Sequence, residues 1–477
     1  MKEKKYLRNI FLLLAITCSL FFSVQTAAAT RKTDVDAAEG SNVLMAVNGT
    51  FYTVSKETIL KRINAIRKEA CKEGVKNPDT GETLTLEDYV PIKWSSDLEW
   101  IAQTRAAEAA VSEGHTRPNG NSCFSAQHND VVSNAENLAW NWSGIMDGIE
   151  QWYEEKNDWV SQTGGVTGHY TSLINPGYKY IALGGFRLSS GGWYCVAAEF
   201  SRDNGLDETQ TGVSGAYSQM IEVPKASVKV SLSQKIVLTL NRTKQLNLIA
   251  KTSQENVWGG TKTVEGTISG KITWTSSKPA VISVNQTGKI TAVGNGSAVI
   301  TAAVNDMIAK TTVTVPYSIS YQLKGGTNHK SNPKTYLSSV TLKNPTRKKY
   351  IFSGWYTDSA FKKKVKVLTG GNQTVYAKWT KVTVPKSGAP KLVNTAGKKL
   401  KISFAAVKKA KGYQVQYALN KKFTKGRKTY NIKTRKKTVT LKKGKTYYVR
   451  IRAYRLDSAG SKVYGAWSKV KSGKIRK

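Results

Sequence analysis

Histidine, cysteine and long apolar runs are all scarce in this chain, and each scarcity narrows what it can be. There are four histidines and four cysteines in 477 residues. Cys18 lies in an apolar N-terminal run behind Ala15-Ile16-Thr17, a poor match to a lipoprotein signal. Cys71, Cys123 and Cys195 have no zinc-knuckle spacing. They are expected as one structural bridge or simply as buried thiols, with the pairing open. No Ser-His-Asp or Cys-His pattern is legible. Beyond Val24 no second long apolar segment occurs, so no transmembrane anchor is expected after cleavage of the N-terminus. The closing KSGKIRK has no hydrophobic tail and no LPxTG motif, so any attachment to a cell wall is expected to be non-covalent.

Acidic residues run shortest near the C-terminal end of the sequence. Residues 51–205 hold 14 Lys/Arg against 20 Asp/Glu, whereas residues 385–477 hold 29 Lys/Arg against Asp457 alone. That block dominates the formal net charge of +41. Such a field attracts polyanions and weakens with salt. Lys2, Lys4, Lys5 and Arg8, then the apolar stretch from Phe11 to Val24, then Ala27-Ala28-Ala29, read as a secretory signal over 1–29. An exported, extracellular protein meets anionic cell-wall polymers or glycans rather than nucleic acid. Residues 385–477 are expected to bind such polymers.

The length exceeds the roughly 250–300 residues that one core can serve, so three or four domains are expected. Residues 30–50 are polar and small and read as a linker. Ile59, Leu60, Ile63 and Ile66 then fall at helical spacing behind a candidate N-cap, Ser55. Helices are also expected over Asp97 to Val111 and Gly148 to Trp159, and strands over Tyr180–Phe186 and Trp193–Phe200. Residues 206–224 read as a second linker. From Pro224 onward the pattern is strand and turn, with period-two alternation between Lys271 and Val304.

By spacing alone, the histidines and glutamates are unremarkable. Trp152 and Glu155 stand at i, i+3 spacing, which puts both on one helix face, and Glu154 points elsewhere. His169 follows Gly168 in a stretch read as a loop before a strand. A lone histidine is more often a hydrogen-bonded core residue than a ligand.

The wording of four segments changes that weighing. GHTRPNG, AENLAW, WYEE and GHYTSLINP occur in that order. With them, residues 51–205 resemble the CAP superfamily, also called SCP-like or PR-1-like. The resemblance implies an α+β fold, an α-β-α sandwich, with a cavity tetrad of His115, Glu136, Glu155 and His169. Ala135 stands where the family usually has Gly, and His128 matches no tetrad position. The resemblance further implies that His115 and His169 are candidate ligands for zinc or another divalent metal.

Three further segments are all-β. ITWTSSKPAVISV, TGKITAVGNGSAVITA and TTVTV make residues 225–316 resemble a bacterial immunoglobulin-like domain of group 2, a sandwich. YSISYQLKGGTN, NPTRKKYIFSGWYTD and QTVYAKW make residues 317–381 resemble the internalin B-repeat type of Listeria and Bacteroides surface proteins, a small β-grasp-like module. Tyr350, Phe352, Trp355, Tyr376 and Trp379 are its expected core. LKISF, GYQVQYALN, TYYVRIRAYR and YGAWSKV make residues 385–473 resemble a fibronectin type III sandwich. Tyr448, Arg450 and Arg452 alternate there with Val449, Ile451 and Ala453, so one face is expected buried and the other cationic.

The expected function is that of a secreted, cell-surface-associated binding protein. Its CAP cavity takes a lipid, a peptide, another small apolar molecule, or a wall or host ligand, and basic β-modules attach it to the surface. The alternative is a metal-assisted hydrolase of peptides or cell-wall material, with Glu136 or Glu155 as general base. A third reading is a scaffold with an idle pocket. Whether the chain is an enzyme stays open at this point.

Overall fold

The computed structural model describes residues 28–256 and 259–476. Two compact units are formed. The first takes in the chain up to Ser233, Leu246–Trp274 and Thr301–Lys310, and the second Gln234–Gln245, Thr275–Ile300 and Thr311–Lys477. Of the expected signal segment, residues 1–27 lie outside the described residues, Cys18 among them.

Among the described residues the first unit holds five α-helices: α1 (Lys56–Glu73), α2 (Ser96–Ala109), α3 (Ile145–Glu154), α4 (Lys156–Ser161) and α5 (Gly168–Ile174). Helix α1 starts where the Ser55 side chain accepts the Thr58 N–H, and it buries a stripe of Ile59, Ile63, Ile66 and Ala70. Helix α2 is buried on nearly every side because its alanines allow close approach. It crosses the strand Tyr180–Leu188 at Gly184, where a Cβ would stand 2.4 Å from the backbone nitrogen of Gln103. Only glycine fits that crossing.

The helices accompany a ten-stranded sheet. Its central strands run Asn42–Tyr52, Tyr180–Leu188, Tyr194–Ser201 and Ala135–Asn141, paired antiparallel in that order. One core gathers Ile63, Trp94, Leu98, Trp152 and Ile181, and a second gathers Met45, Phe51, Ala106, Phe186 and Ile221.

Several boundaries differ from those read off the sequence. Residues 30–50 are no linker, because Asn42–Tyr52 is an inner strand and Ala29–Arg31 pairs in parallel with Tyr217–Gln219. Nor are residues 206–224, since Gly215–Pro224 pairs with Asn42–Phe51 along its whole length. The expected immunoglobulin-like segment is divided. Val228–Ser231, Ile249–Glu255 and Thr261–Ile268 extend the ten-stranded sheet through pairing of Thr267 and Ile268 with Ala46 and Met45. The cause is physical: alternation marks a strand without marking its partner, and an open strand edge accepts any compatible backbone. The expected helix from Gly148 to Trp159 is two helices that break at Glu155, and His169 sits in α5 rather than in a loop. Cys71, Cys123 and Cys195 are free and buried.

The second unit is all β among its described residues. Residues 317–381 fold around a five-stranded sheet whose core holds Ile319, Tyr336, Leu342, Trp355, Leu368, Val375 and Ala377. Phe352 and Trp379 pack against this core, whereas Tyr350 and Tyr376 lie outside it, Tyr350 under the Arg347 guanidinium at 3.9 Å. Residues 391–474 form two sheets of three and five strands around Leu400, Ile402, Val415, Val449 and Ile451. The outward residues of Thr446–Leu456 are not free cations. Arg450 lies over Phe423 and Trp467 at 4.0 and 4.4 Å, and Arg452 over Tyr464 and Trp467 at 4.0 and 4.4 Å.

Candidate functional site

Two imidazole–carboxylate pairs make up the site, each assembled from different elements. In the first, the loop after α2 brings His115 to Glu136, which lies near the start of the strand Ala135–Asn141. The His115 Nδ1 stands 2.8 Å from Glu136 Oε1. Arg105 of α2 donates from Nε to Glu136 Oε2 at 2.6 Å and from Nη2 to Oε1 at 3.2 Å. Both oxygens of Glu136 are therefore engaged.

Behind this pair lies a buried chain of charge. Arg105 Nη1 donates to Glu108 at 2.7 Å, Glu108 accepts from Arg117, and Arg117 donates to Asp34 at 2.6 Å. Burial alone would raise the Glu136 carboxyl, yet the Arg105 charge and the His115 hydrogen bond bring it down to about 2. Glu199 responds the other way. It is the cross-strand partner of Glu136 and fully buried, and neither of its oxygens has a hydrogen-bond partner among the described residues. Burial, reinforced by the Glu136 charge, holds its carboxyl well above the usual carboxylate range. Cys123 also joins this side. A ligating atom from each of His115, Cys123 and Glu136 lies within 4.8 Å of the others. Burial pushes the Cys123 thiol up to about 12, far from a reactive thiolate.

The second pair is built by helix ends. Helix α3 places Trp152 in the core, its indole donating to Leu138 O at 3.0 Å, and then stops. Glu155 at that break reaches the start of α5, whose Thr167 supplies no side-chain cap. Its Oε2 accepts the backbone N–H groups of His169 and Tyr170 at 2.9 and 3.2 Å, while Oε1 stands 2.5 Å from His169 Nδ1. One carboxylate thus caps a helix and orients an imidazole. Glu154 is exposed and takes no part. Asn137, next to Glu136, donates to the backbone oxygen of His169 at 2.9 Å and ties α5 to the strand.

The two imidazoles face each other with ring centroids 6.3 Å apart and planes 29° off parallel. Each Nδ1 is held by its own carboxylate, which leaves Nε2 to carry the lone pair of a neutral ring. His128 lies elsewhere, bonded to Asp97 at 2.9 Å and stacked on Trp100. Beside His115 opens a groove of about 460 Å3 whose lining includes Glu113, Thr116, Arg117, Gln254 and Glu255.

Sequence reading missed Arg105, Glu108, Arg117, Asp34, Asn137 and Glu199. Arg105 and Glu108 left one signal, an opposite-charge pair at i, i+3 in a helix otherwise rich in alanine. Glu199 left none, since its role follows from the strand pairing.

With the geometry in place, the likenesses to other proteins fall into order. Residues 60–197 match the Cysteine-rich secretory protein family, CAP, and residues 317–378 match the Listeria-Bacteroides repeat domain. The chain thus carries a CAP domain together with additional all-β modules. Among curated proteins none matches it. An Fn3-like protein from Clostridium thermocellum is similar at 20% identity, covering 20% of this chain and 94% of that one, with a TM-score of 0.16. Titin domains A168–A170 are similar at 12% identity, covering 52% and 98%, with a TM-score of 0.21. At these scores neither likeness carries an argument.

Proposed function

We propose that this is a secreted, surface-associated CAP protein that binds rather than cleaves its ligand, with the tetrad as an anchoring point in the CAP domain. The observation that carries the reading is the commitment of the carboxylates. All four oxygens of Glu136 and Glu155 accept hydrogen bonds from His115, Arg105, and the His169 and Tyr170 N–H groups. A general base needs an oxygen free to take a proton from water, and Glu136 at about 2 is a weak base besides. The carboxylates instead hold the imidazoles in place.

Two imidazoles backed by carboxylates form a donor set that fits a divalent ion such as zinc. His115 and His169 would hold it, and it would supply a Lewis-acidic point for a ligand carbonyl or carboxylate. The charged and hydroxyl-bearing lining of the groove beside His115 suits a peptide or a wall fragment better than a lipid chain. The cationic surface of 385–477 supports attachment to anionic wall polymers. No helix among the described residues is long and apolar enough to cross a membrane.

Calorimetry of the full chain with zinc tests the anchoring point. One ion should bind, with His115→Ala or His169→Ala abolishing it and Glu155→Gln weakening it about 10–100-fold. Zinc binding untouched by the histidine changes would overturn the assignment. Mass analysis of peptide-bearing wall fragments after incubation tests binding against hydrolysis. Intact fragments are expected, and cleavage that disappears in Glu136→Gln would reverse the reading.

A further inference from the structure

We infer a second binding site in the first unit, for a pyranose oligosaccharide, at the turn between the strands Tyr180–Leu188 and Tyr194–Ser201. It shares no residue with the tetrad and does not depend on the reading above.

Two tryptophans stand in water there. Trp142 is 65% exposed and Trp193 43% exposed, with ring centroids 6.2 Å apart and planes at 83°. Large aromatic side chains that can be buried usually are, so an exposed pair marks a surface with a use. Beside Trp193 opens a cavity of about 400 Å3, walled by Trp140, Leu188 and Val264 and edged by Glu113 and Lys262. This volume lies within the range of small-molecule sites, roughly 300–1,000 Å3. The Lys262 Nζ donates to Glu113 Oε1 at 2.7 Å, so a matched pair of charges sits at an apolar wall.

The turn is held in advance. The Ser189 N–H donates to Asn48 O at 2.9 Å and the Gly191 N–H to Leu188 O at 3.0 Å. Arg187 donates from Nε to Gly192 O at 2.8 Å, and its guanidinium lies 5.9 Å from the Trp142 ring centre and 5.1 Å from that of Tyr194. Gly191 and Gly192 take φ of +93° and +104°, a backbone that other residues adopt only with strain. A ligand would meet a formed surface and would not have to order a loop.

The chemistry selects the ligand class. A pyranose ring offers an apolar C–H face and a rim of hydroxyls. Indole faces receive the first, while Glu113, Lys262, Ser190 and Thr263 receive the second. An acyl chain would desolvate the Glu113–Lys262 pair without replacing its water. A polyanion would meet no unpaired cation in that pair.

Neutral sugars test this, because the basic residues 385–477 do not distinguish them from solvent. Tetra-N-acetylchitotetraose and cellotetraose are titrated separately into the full chain by calorimetry. At least one should bind saturably at micromolar to millimolar concentration. Trp193→Ala and Trp142→Ala should each weaken binding at least about tenfold, as aromatic hot spots do. The double change His115→Ala with His169→Ala should leave it within about twofold, since neither imidazole lines this cavity. Both tryptophans are exposed, so these variants keep the fold. The inference is overturned if neither sugar binds, or if binding survives both tryptophan changes. It is equally overturned if phosphatidylcholine vesicles, and not the sugars, bind through Trp142 and Trp193.

Discussion

In the first unit Arg105, Glu108, Arg117 and Glu136 lie inside the fold, each answered by another, while the sandwich over 391–474 keeps its many cations outside and buries only Asp457 among its charged residues. Taking ions out of water costs several kcal/mol each, and apolar replacements of similar shape are often no less stable. Here the buried guanidinium of Arg105 holds Glu136, whose Oε1 stands 2.8 Å from His115 Nδ1. The sandwich needs no such core, and its charges act on whatever approaches from solvent. Even there the two kinds of charge differ, for Arg450 and Arg452 are stacked on aromatic rings and bonded to Gln416 and Gln414, whereas Lys421, Lys422, Lys433 and Lys436 are exposed.

The comparison is most directly broken at Arg105. Arg105→Met removes the buried cation between Glu108 and Glu136, and the unfolding transition of the first unit should lose about 3–5 kcal/mol. An unchanged urea midpoint would show that the chain of charge is incidental. The next test is pH. The folded Glu136 keeps its charge down to about 2 while the unfolded residue protonates near 4.3, so its contribution is present above about 4.3 and lost as pH falls toward 2. Glu199 has the opposite sign. The folded state keeps a proton that the unfolded state releases above about 4.3, so stability declines with rising pH by up to about 1.4 kcal/mol per unit until the folded group titrates. Glu199→Gln should remove that slope, raising the melting temperature more at pH 7 than at pH 5. A gain that is equal at both pH values would mean that Glu199 is ionised.

Charge on the sandwich should behave as surface charge. Changing Lys421, Lys422, Lys433 and Lys436 together to Gln should leave stability within about 0.5 kcal/mol, as surface changes do. It should release much of the chain from isolated cell walls, as should salt near 1 M, where the screening length falls to about 3 Å. The smallest effect on retention is expected from Arg450→Gln with Arg452→Gln, because those groups are already engaged. Their thermal stability should fall instead, since stacked rings and hydrogen bonds are lost. Equal retention losses in the two variants would erase the distinction between stacked and free cations.

The degree to which the fold was legible varied with the physics that writes each feature. Helix α1 could be read because capping and a 3.6-residue stripe are local, and Ser55, Ile59, Ile63 and Ile66 carry them. The ends of α3 and α5 could not, because Glu155 stops α3 and caps α5 across 14 residues. The linkers were misread for a related reason. Residues 42–52 and 215–224 alternate weakly, and they are strands because each finds the other across the sheet.

Residue types, their order, and the uneven distribution of charge are properties of the chain itself, and so are the four motifs that hold His115, Glu136, Glu155 and His169. They depend on no contact, and the sequence by itself determined them. Tertiary structure alone decided that Glu136 and Glu199 stand side by side, one carboxyl held below the usual range and the other above it, and that Arg105 lies between Glu136 and Glu108. It also decided which strands the span 225–316 surrenders to the sheet of the first unit. Pairing partners and dielectric surroundings come from residues far apart in the chain, and they shift two residues of the same type in opposite directions.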